Sequence, residues 1–302
     1  MSARAYTYLN LALCILLWAS IPVASKKILA ELNNLQMLFY STVFSAAALG
    51  ALVAGQGKGA ILVRHSLRDY AHMGWLGFLG AFLYYVLLYG AFARTSAAEG
   101  FVLAYTWPIL VSLLAVPLLG QKLSALRLIA IAISFCGVVM IVTRGRMLAF
   151  QTENLAGNLL ALCGALVFAL FSILGRRANY DLTIAAFIYF CSALVCAGAA
   201  ISIAGHLPLP SLSVWGWILY NGLLVNGVSY LFWFRALEHG DTFVVSNLLY
   251  LTPALSLPLV RLFLNEPVQA SAVSGLILIV FGILLQSWPK LAEASRSRAP
   301  DV

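Results

Sequence analysis

Residues 101–120 read FVLAYTWPILVSLLAVPLLG, a run of about twenty residues without a charged side chain. A bilayer core of about 30 Å needs about twenty apolar residues in one helical span. Comparable runs fall at roughly 7–25, 35–55, 70–93, 99–120, 125–143, 155–175, 182–205, 212–234, 242–260 and 268–288. The sequence therefore predicts an all-α integral membrane protein with ten transmembrane helices.

Composition supports a chain made almost wholly of spans. Of its 302 residues, 63% are hydrophobic and 9% are charged, whereas a soluble domain carries about 25% charged residues. Lysines and arginines are scattered between the apolar runs, unlike the clustered basic face of a nucleic-acid-binding protein. Twelve of them fall on the side that holds both termini and six on the other, which predicts cytoplasmic termini.

The second half of the chain echoes the first at an offset of 145 residues. The matched pairs are Gly77 with Gly222, Tyr85 with Tyr230, Tyr105 with Tyr250, Pro108 with Pro253, Gln121 with Glu266 and Gly137 with Gly282. Each half has five predicted helices, an odd number, so the second half must enter the membrane from the opposite face. We therefore expect two inverted five-helix repeats, residues 1–150 and 151–302, that can alternate between two states.

The chain contains a step from Trp18 to Pro22, helices with Pro108 and Pro253, and the turns Leu-Gly-Gln-Lys (119–122) and Leu-Asn-Glu-Pro (264–267). These motifs resemble those of the drug/metabolite transporter superfamily. The chain looks like the ten-helix EamA-type exporters, and most like the bacterial aromatic amino-acid exporters. Gln121 departs from the glutamate that the family often has there, while Glu266 keeps the acid. The resemblance implies secondary transport by alternating access.

No ionisable residue falls near the middle of a predicted span. Intramembrane proteases need acids or metal ligands at that depth, so that class is excluded, and a facilitator or exchanger driven by the substrate gradient is favoured over a proton pump. A membrane enzyme would need an interfacial acid/base cluster; the one candidate, Glu238, His239 and Asp241, is interpreted as a solvated turn. We expect no catalytic residue, metal site or cofactor.

Three prolines lie inside apolar runs and are candidate hinges: Pro22, Pro108 and Pro253. Each removes a backbone N–H and should free the carbonyl four residues earlier, on Trp18, Ala104 and Leu249 respectively. Freed carbonyls at membrane depth need protein or a water-filled cavity beside them. A simple kink without a functional role is the alternative interpretation.

Aromatic and polar residues near these prolines predict a substrate cavity at the membrane midplane. The aromatic candidates are Trp18, Tyr85, Tyr89, Phe101, Tyr105, Trp107, Tyr230 and Tyr250, and the polar candidates are Ser20, Asn226, Asn247 and Thr252. Rings offer area and cation–π contact to an ammonium group; ordinary helix packing is the competing interpretation. Trp75, Trp215, Trp217, Trp233 and Trp288 lie near span ends and are expected in the interfacial belt.

These residues favour an exporter of amino acids, aromatic or apolar, in the bacterial inner membrane. An exporter of drugs, nucleosides or other metabolites is the alternative, because an aromatic cavity suits those ligands too. A channel is disfavoured since no rings of like charge occur. The expected partners are a zwitterionic or amphipathic small molecule and the lipid bilayer, not nucleic acid, and a monomer is expected.

Overall fold

The computed structural model describes residues 3–120, 125–145, 154–175, 180–239, 245, 248–249 and 251–296, and every element in these ranges is helical. The first half has α1 (Ala3–Ala19), α2 (Ile21–Ile28), α3 (Asn34–Gly55), α4 (Leu67–Phe92), α5 (Ala97–Ala104), α6 (Trp107–Leu119) and α7 (Ala125–Val142). The second half has α8 (Leu155–Gly175), α9 (Leu182–Ala204), α10 (212–239), α11 (Leu251–Leu264) and α12 (Ala270–Arg296).

Six described helical segments are long and apolar enough to cross a membrane, which confirms a membrane protein built of helices. They are Ala5–Ile28, Asn34–Gly55, Leu67–Phe92, Ala97–Leu119, Leu155–Gly175 and Leu182–Ala204. Shorter apolar helical segments occur at Leu128–Val142, Leu251–Leu264 and Ala270–Leu285.

Local sequence signals fix where two of the helices begin. The Asn33 side chain accepts hydrogen bonds from the backbone N–H groups of Leu35 and Gln36 at 3.0 and 2.9 Å. The Gln36 side-chain oxygen in turn accepts a hydrogen bond from the Asn33 backbone N–H. Asp181 accepts from the N–H groups of Thr183 and Ile184 in the same way. Asparagine and aspartate are typical helix N-caps, because a short polar side chain satisfies N–H groups that a helix start leaves unpaired.

Four of the predicted spans are interrupted inside the bundle. The first breaks at Ser20, between α1 and α2, and the fourth breaks at Tyr105–Thr106, between α5 and α6. α4 contains a π-helical segment, Phe78–Leu83, and α10 contains another, Tyr220–Val228. Widened π turns frequently lie at functional sites. Tyr105 of the second break and Gly80 of the α4 π-helical segment line the cavities described below.

The connections between helices gather at two ends of the bundle. At the Glu99 end, Lys26 donates a hydrogen bond to the Thr95 carbonyl, and Arg144 pairs with Glu99. At the Lys58 end, Lys58 pairs with Asp181 at 2.8 Å. α1 begins and α12 finishes towards the Lys58 end.

Glycines allow the helices to approach at backbone distance. A Cβ added at Gly77 of α4 would lie 2.6 Å from the Tyr189 Cα of α9, and one at Gly222 of α10 would lie 2.8 Å from the Ser41 carbonyl oxygen of α3. α7 and α12 meet similarly, since a Cβ on Gly137 would lie 2.6 Å from the Gly275 carbonyl oxygen. These contacts are too close for a larger residue.

Candidate functional site

A cavity of about 260 Å³ lies between α1, α4, α5, α6, α8 and α10. Ten of its thirteen described lining residues are aromatic, and none carries a charge. These aromatic residues are Trp18, Tyr84, Tyr85, Phe101, Tyr105, Trp107, Phe168, Phe171, Tyr230 and Trp233. The interior therefore presents ring faces and tyrosine hydroxyls to any ligand.

A second cavity of about 230 Å³ adjoins the first and shares six of its lining residues, among them Trp18, Phe168 and Tyr230. It extends along α9 to Leu182 and reaches Gly175, the last residue of α8. Both residues lie beside the Lys58 end. Together the two spaces form an aromatic cavity that runs from the middle of the bundle towards that end.

The rings of the aromatic cavity hold one another in place. Trp18 packs against Tyr230 and Trp233 with ring centroids 5.9 and 5.8 Å apart. Trp107 meets Phe168 edge to face at 5.2 Å, a favoured geometry for aromatic pairs. The Trp18 indole N–H donates to the Ser229 hydroxyl at 2.8 Å, which fixes the orientation of its ring.

A buried polar network lies directly behind the aromatic wall. The Tyr85 hydroxyl, which lines the cavity, donates to the Asn226 Oδ1 at 3.2 Å. The Asn226 and Asn221 amides donate to the Tyr89 hydroxyl at 3.3 and 3.2 Å, and Asn221 also donates to the Ser41 hydroxyl. The Asn221 Oδ1 is buried and has no hydrogen-bond partner among the described residues, so one acceptor remains open in the network.

An ion-pair cluster joins four parts of the chain at the Glu99 end. Glu99 is fully buried; its Oε1 accepts from the Arg144 Nε at 3.0 Å, and its Oε2 accepts from Asn154 and Thr95 at 3.1 Å each. Glu266 accepts from the Ala97 backbone N–H at 2.9 Å. Because α5 runs from this cluster to the break at Tyr105–Thr106, the cluster and the cavity are connected through a single short helix.

Glu266 also reaches Lys26 of α2, with Nζ and Oε1 3.7 Å apart. Glu266 is the acid that the Leu-Asn-Glu-Pro turn keeps. In the structure its carboxylate contacts α2 and α5. Its first-half counterpart, Gln121, lies outside the described residues.

The contacts at the Lys58 end lie nearer the surface, and the Lys58 and Asp181 side chains are each 26% exposed. Partial burial opposes ionisation of Asp181, but the hydrogen bond from Lys58 and those from the backbone of Ile184 and Thr183 together lower the pKa of its carboxyl group. Thr183 also links this end to Gln56 through a 3.2 Å hydrogen bond. No group of three or more histidine, cysteine, aspartate or glutamate side chains suited to a metal occurs among the described residues.

Comparison with known proteins identifies the family. The EamA-like transporter family matches residues 5–143 and 155–288, nearly the whole length of the chain. The chain belongs to the EamA-like transporter family. Its function is accordingly transport, and several of its relatives are named transporters or exporters.

Individual relatives of this EamA-like protein are distant but cover most of it. An uncharacterized transporter of Archaeoglobus fulgidus is 27% identical and aligns with 92% of this chain and 96% of its own length. The aromatic amino acid exporter YddG of Ancylobacter novellus is also 27% identical, over 80% of this chain and 83% of its own. A solved crystal structure at 21% identity superposes with a TM-score of 0.68, covering 99% of this chain and 100% of that one, which shows a shared fold.

The structure gathers half of the predicted substrate residues of the EamA-like chain in the aromatic cavity. They are Trp18, Tyr85, Phe101, Tyr105, Trp107 and Tyr230. Tyr89 and Asn226 lie one layer behind, in the polar network. Asn247 and Tyr250 lie outside the described residues. Thr252 is buried at the start of α11, where its hydroxyl has no described partner.

Two sequence expectations need correction. Ser20 faces away from the aromatic cavity and shares a 2.7 Å hydrogen bond with the Tyr220 hydroxyl in a separate groove. The Leu249 carbonyl, expected to be freed by Pro253, accepts a 2.9 Å hydrogen bond from the Thr252 backbone N–H, because the turn tightens before α11. Ser20 and Thr106 likewise donate their hydroxyls to carbonyls three residues earlier, which satisfies backbone groups near the other two breaks.

The sequence analysis missed several cavity residues. Trp233, expected in the interfacial belt, lines the cavity instead, because it stands one turn beyond Tyr230 on α10. Phe168 and Phe171 of α8 were not singled out, although their ring pair spans the junction of the two cavities. α8 is apolar on all sides, so its sequence alone does not reveal which face turns inward.

Proposed function

We propose that this chain is a secondary carrier that exports aromatic or apolar amino acids across the bacterial inner membrane. The observation that carries the proposal is the uncharged aromatic cavity in a member of the EamA-like transporter family. Rings provide stacking area for an apolar side chain. An ammonium group gains cation–π contact, while the tyrosine hydroxyls can meet a carboxylate. The name of the Ancylobacter relative supports the aromatic class.

We further propose that residues 1–150 and 151–302 are inverted five-helix repeats, which makes ten spans in all. The family matches twice, once in each half. Packing between the halves is reciprocal: Gly77 of α4 lies against α9, and its counterpart Gly222 of α10 lies against α3. The π-helical segments of α4 and α10 also fall at equivalent positions under the 145-residue offset.

Alternating access would then consist of opening one end while the other closes. The aromatic cavity reaches the Lys58 end, whereas the buried Glu99 carboxylate and its partners tie the Glu99 end together. We therefore propose that this conformation is the state open towards the Lys58 end. We propose that this end and both termini face the cytoplasm. The hairpins α4–α6 and α10–α11 would move, with Pro22, Pro108 and Pro253 marking the hinges.

Counterflow into proteoliposomes tests this function. Proteoliposomes that contain the purified protein are loaded with unlabelled phenylalanine. Uptake of labelled phenylalanine, tryptophan, leucine, glutamate and a nucleoside is then compared. We expect exchange of the aromatic and apolar amino acids, and none of glutamate. Exchange of the nucleoside alone would favour the metabolite-exporter alternative, and exchange of nothing in the panel would contradict the proposed cargo.

Substitutions in the cavity test whether it is the transport site. Tyr105→Ala and Trp107→Ala should each weaken cargo affinity about two- to ten-fold, since a lost aromatic contact costs about 0.5–1.5 kcal/mol. Trp75→Ala is the matched control, because Trp75 is 54% exposed and outside both cavities. Wild-type counterflow in both cavity variants would remove these residues from the site.

A further inference from the structure

A groove of about 570 Å³ lies on the outside of the bundle, between α1, α2, α10 and α11. Leu16 and Val23 form one wall and Leu259 and Phe263 the other, with Gly216 and Trp217 between them. It shares no described lining residue with the aromatic cavity. The groove is therefore a separate binding surface.

The groove opens towards the lipid at the level of a membrane-spanning segment. Leu16, on the Ala5–Ile28 span, is 52% exposed, and Phe263 on the opposite wall is 51% exposed. Two hydroxyls of the groove, those of Ser20 and Tyr220, bond to each other at 2.7 Å. The other lining side chains are mainly apolar, and a groove of this kind beside a membrane-spanning segment suits a hydrocarbon chain.

A positive charge stands where the groove approaches the Glu99 end. Positions 16, 20, 23 and 27 are separated by four, three and four residues, so Lys27 falls on the helix face that carries Ser20 and Val23. No hydrogen bond or ion pair joins Lys27 to any described residue. Its neighbour Lys26 instead turns to Glu266 and the Thr95 carbonyl. The Lys27 ammonium can therefore pair with an external anion.

The one carboxylate close in sequence to Lys27 is already engaged. Glu31 accepts hydrogen bonds from the Ser211 backbone N–H and hydroxyl at 2.8 and 2.6 Å. These two bonds, the one from the hydroxyl first, lower the pKa of Glu31. The groove thus has an apolar body, and Lys27, a cation with no ion pair to a described residue, lies near its head.

We propose that this groove is a binding site for a membrane phospholipid of the leaflet at the Glu99 end. One acyl chain lies between Leu16 and Phe263, over Gly216, and the phosphodiester pairs with Lys27. The acyl chain gains van der Waals contacts with the walls of the groove, and a lysine near the membrane surface adds a modest electrostatic attraction to a lipid phosphate. The site is independent of the cargo that the carrier moves.

Native mass spectrometry of the detergent-purified full chain, titrated with palmitoyl-oleoyl phosphatidylglycerol, tests the proposal. A Cβ added at Gly216 meets nothing within 4 Å, so Gly216→Leu fills the groove without a clash. We expect the dissociation constant of the tightest lipid to rise about ten-fold, because the leucine side chain takes the place of the acyl chain and removes its van der Waals contacts with the groove. Gly74→Leu, at an equally open position outside the groove, should leave it unchanged.

Lys27→Gln tests the head of the site. Phosphatidylglycerol should bind about five-fold more weakly, while a diacylglycerol with the same tails, which lacks the phosphate, should bind the variant and wild type equally. Arg64→Gln, an exposed cation at the Lys58 end, is the matched charge control. Unchanged lipid affinity in Gly216→Leu, or an equal loss in Gly74→Leu, would overturn the site; unchanged affinity in Lys27→Gln would overturn the headgroup contact.

Discussion

Replacing Glu99 by glutamine should loosen the Glu99 end and shift the carrier towards the state open there. Glutamine has nearly the same shape, so the contacts to Asn154 and Thr95 can be kept. What is lost is the charge that faces Arg144, whose Nε lies 3.0 Å from the Glu99 carboxylate. The perturbation is therefore electrostatic and local to the cluster.

The size of the effect follows from burial. The Glu99 side chain is 1% exposed and that of Arg144 is 26% exposed, so solvent screens the pair only in part. A hydrogen bond between charged groups in such a site contributes about 1.5–3 kcal/mol. A loss of about 2 kcal/mol from the closed state corresponds to an about thirty-fold shift of the equilibrium between the two states.

Thiol labelling measures this shift. Val102 is fully buried below the cluster and does not line the aromatic cavity, so a cysteine there, in a chain without other cysteines, is reached only when the Glu99 end opens. Glu99→Gln should raise the labelling rate with a membrane-impermeant maleimide by about thirty-fold. Asp69→Asn, at the opposite end, is the control. Equal rates in Glu99→Gln and the parent chain would refute the role of the ion pair as a closure.

Two further outcomes follow from the packing and the surface charges. Gly77→Ala should destabilise the fold by about 1–3 kcal/mol in chemical unfolding, because its Cβ would lie 2.6 Å from the Tyr189 Cα; Gly74→Ala, in open space, should not, and a stable Gly77→Ala would contradict the close contact. Since the pKa of Glu31 is lowered by Ser211, its contribution to stability is present above the unfolded value of about 4.3 and is lost as pH falls through the lower folded value. Glu31→Gln should therefore have a lower melting temperature than wild type at pH 7, and this difference should shrink as the pH falls towards 3. An equal difference at both pH values would exclude ionisation as the cause.

Sequence patterns predicted the spans and their caps because those features depend on neighbours in the chain. A run of apolar residues such as 101–120 defines a span by itself, and Asn33 and Asp181 act on N–H groups two or three residues away. The pairing of Lys26 with Glu266 joins residues 240 positions apart and leaves no local signal. Phe168 could not be assigned to the cavity, because a helix apolar on every side does not indicate its rotation.

The positions of the prolines predicted only two of the four interruptions in the helices. Pro22 and Pro108 predicted broken helices, and the breaks occur at Ser20 and at Tyr105–Thr106. The π-helical segments Phe78–Leu83 and Tyr220–Val228 contain no proline. These segments lie where α4 packs closely against α9 and α10 packs closely against α3. We therefore attribute the wider helical turns to tertiary contacts and not to the local helix propensity of the sequence.

The uncharged lining of the aromatic cavity has an energetic consequence for a carrier in a polarised membrane. Moving one elementary charge through 100 mV involves about 2.3 kcal/mol. A zwitterion adds no net charge, and no described lining side chain supplies one, so such a cargo and the described cavity lining together carry no net charge. We therefore expect transport of a zwitterion to be electroneutral, and a potassium-diffusion potential imposed across the liposome membrane should leave the exchange rate unaltered.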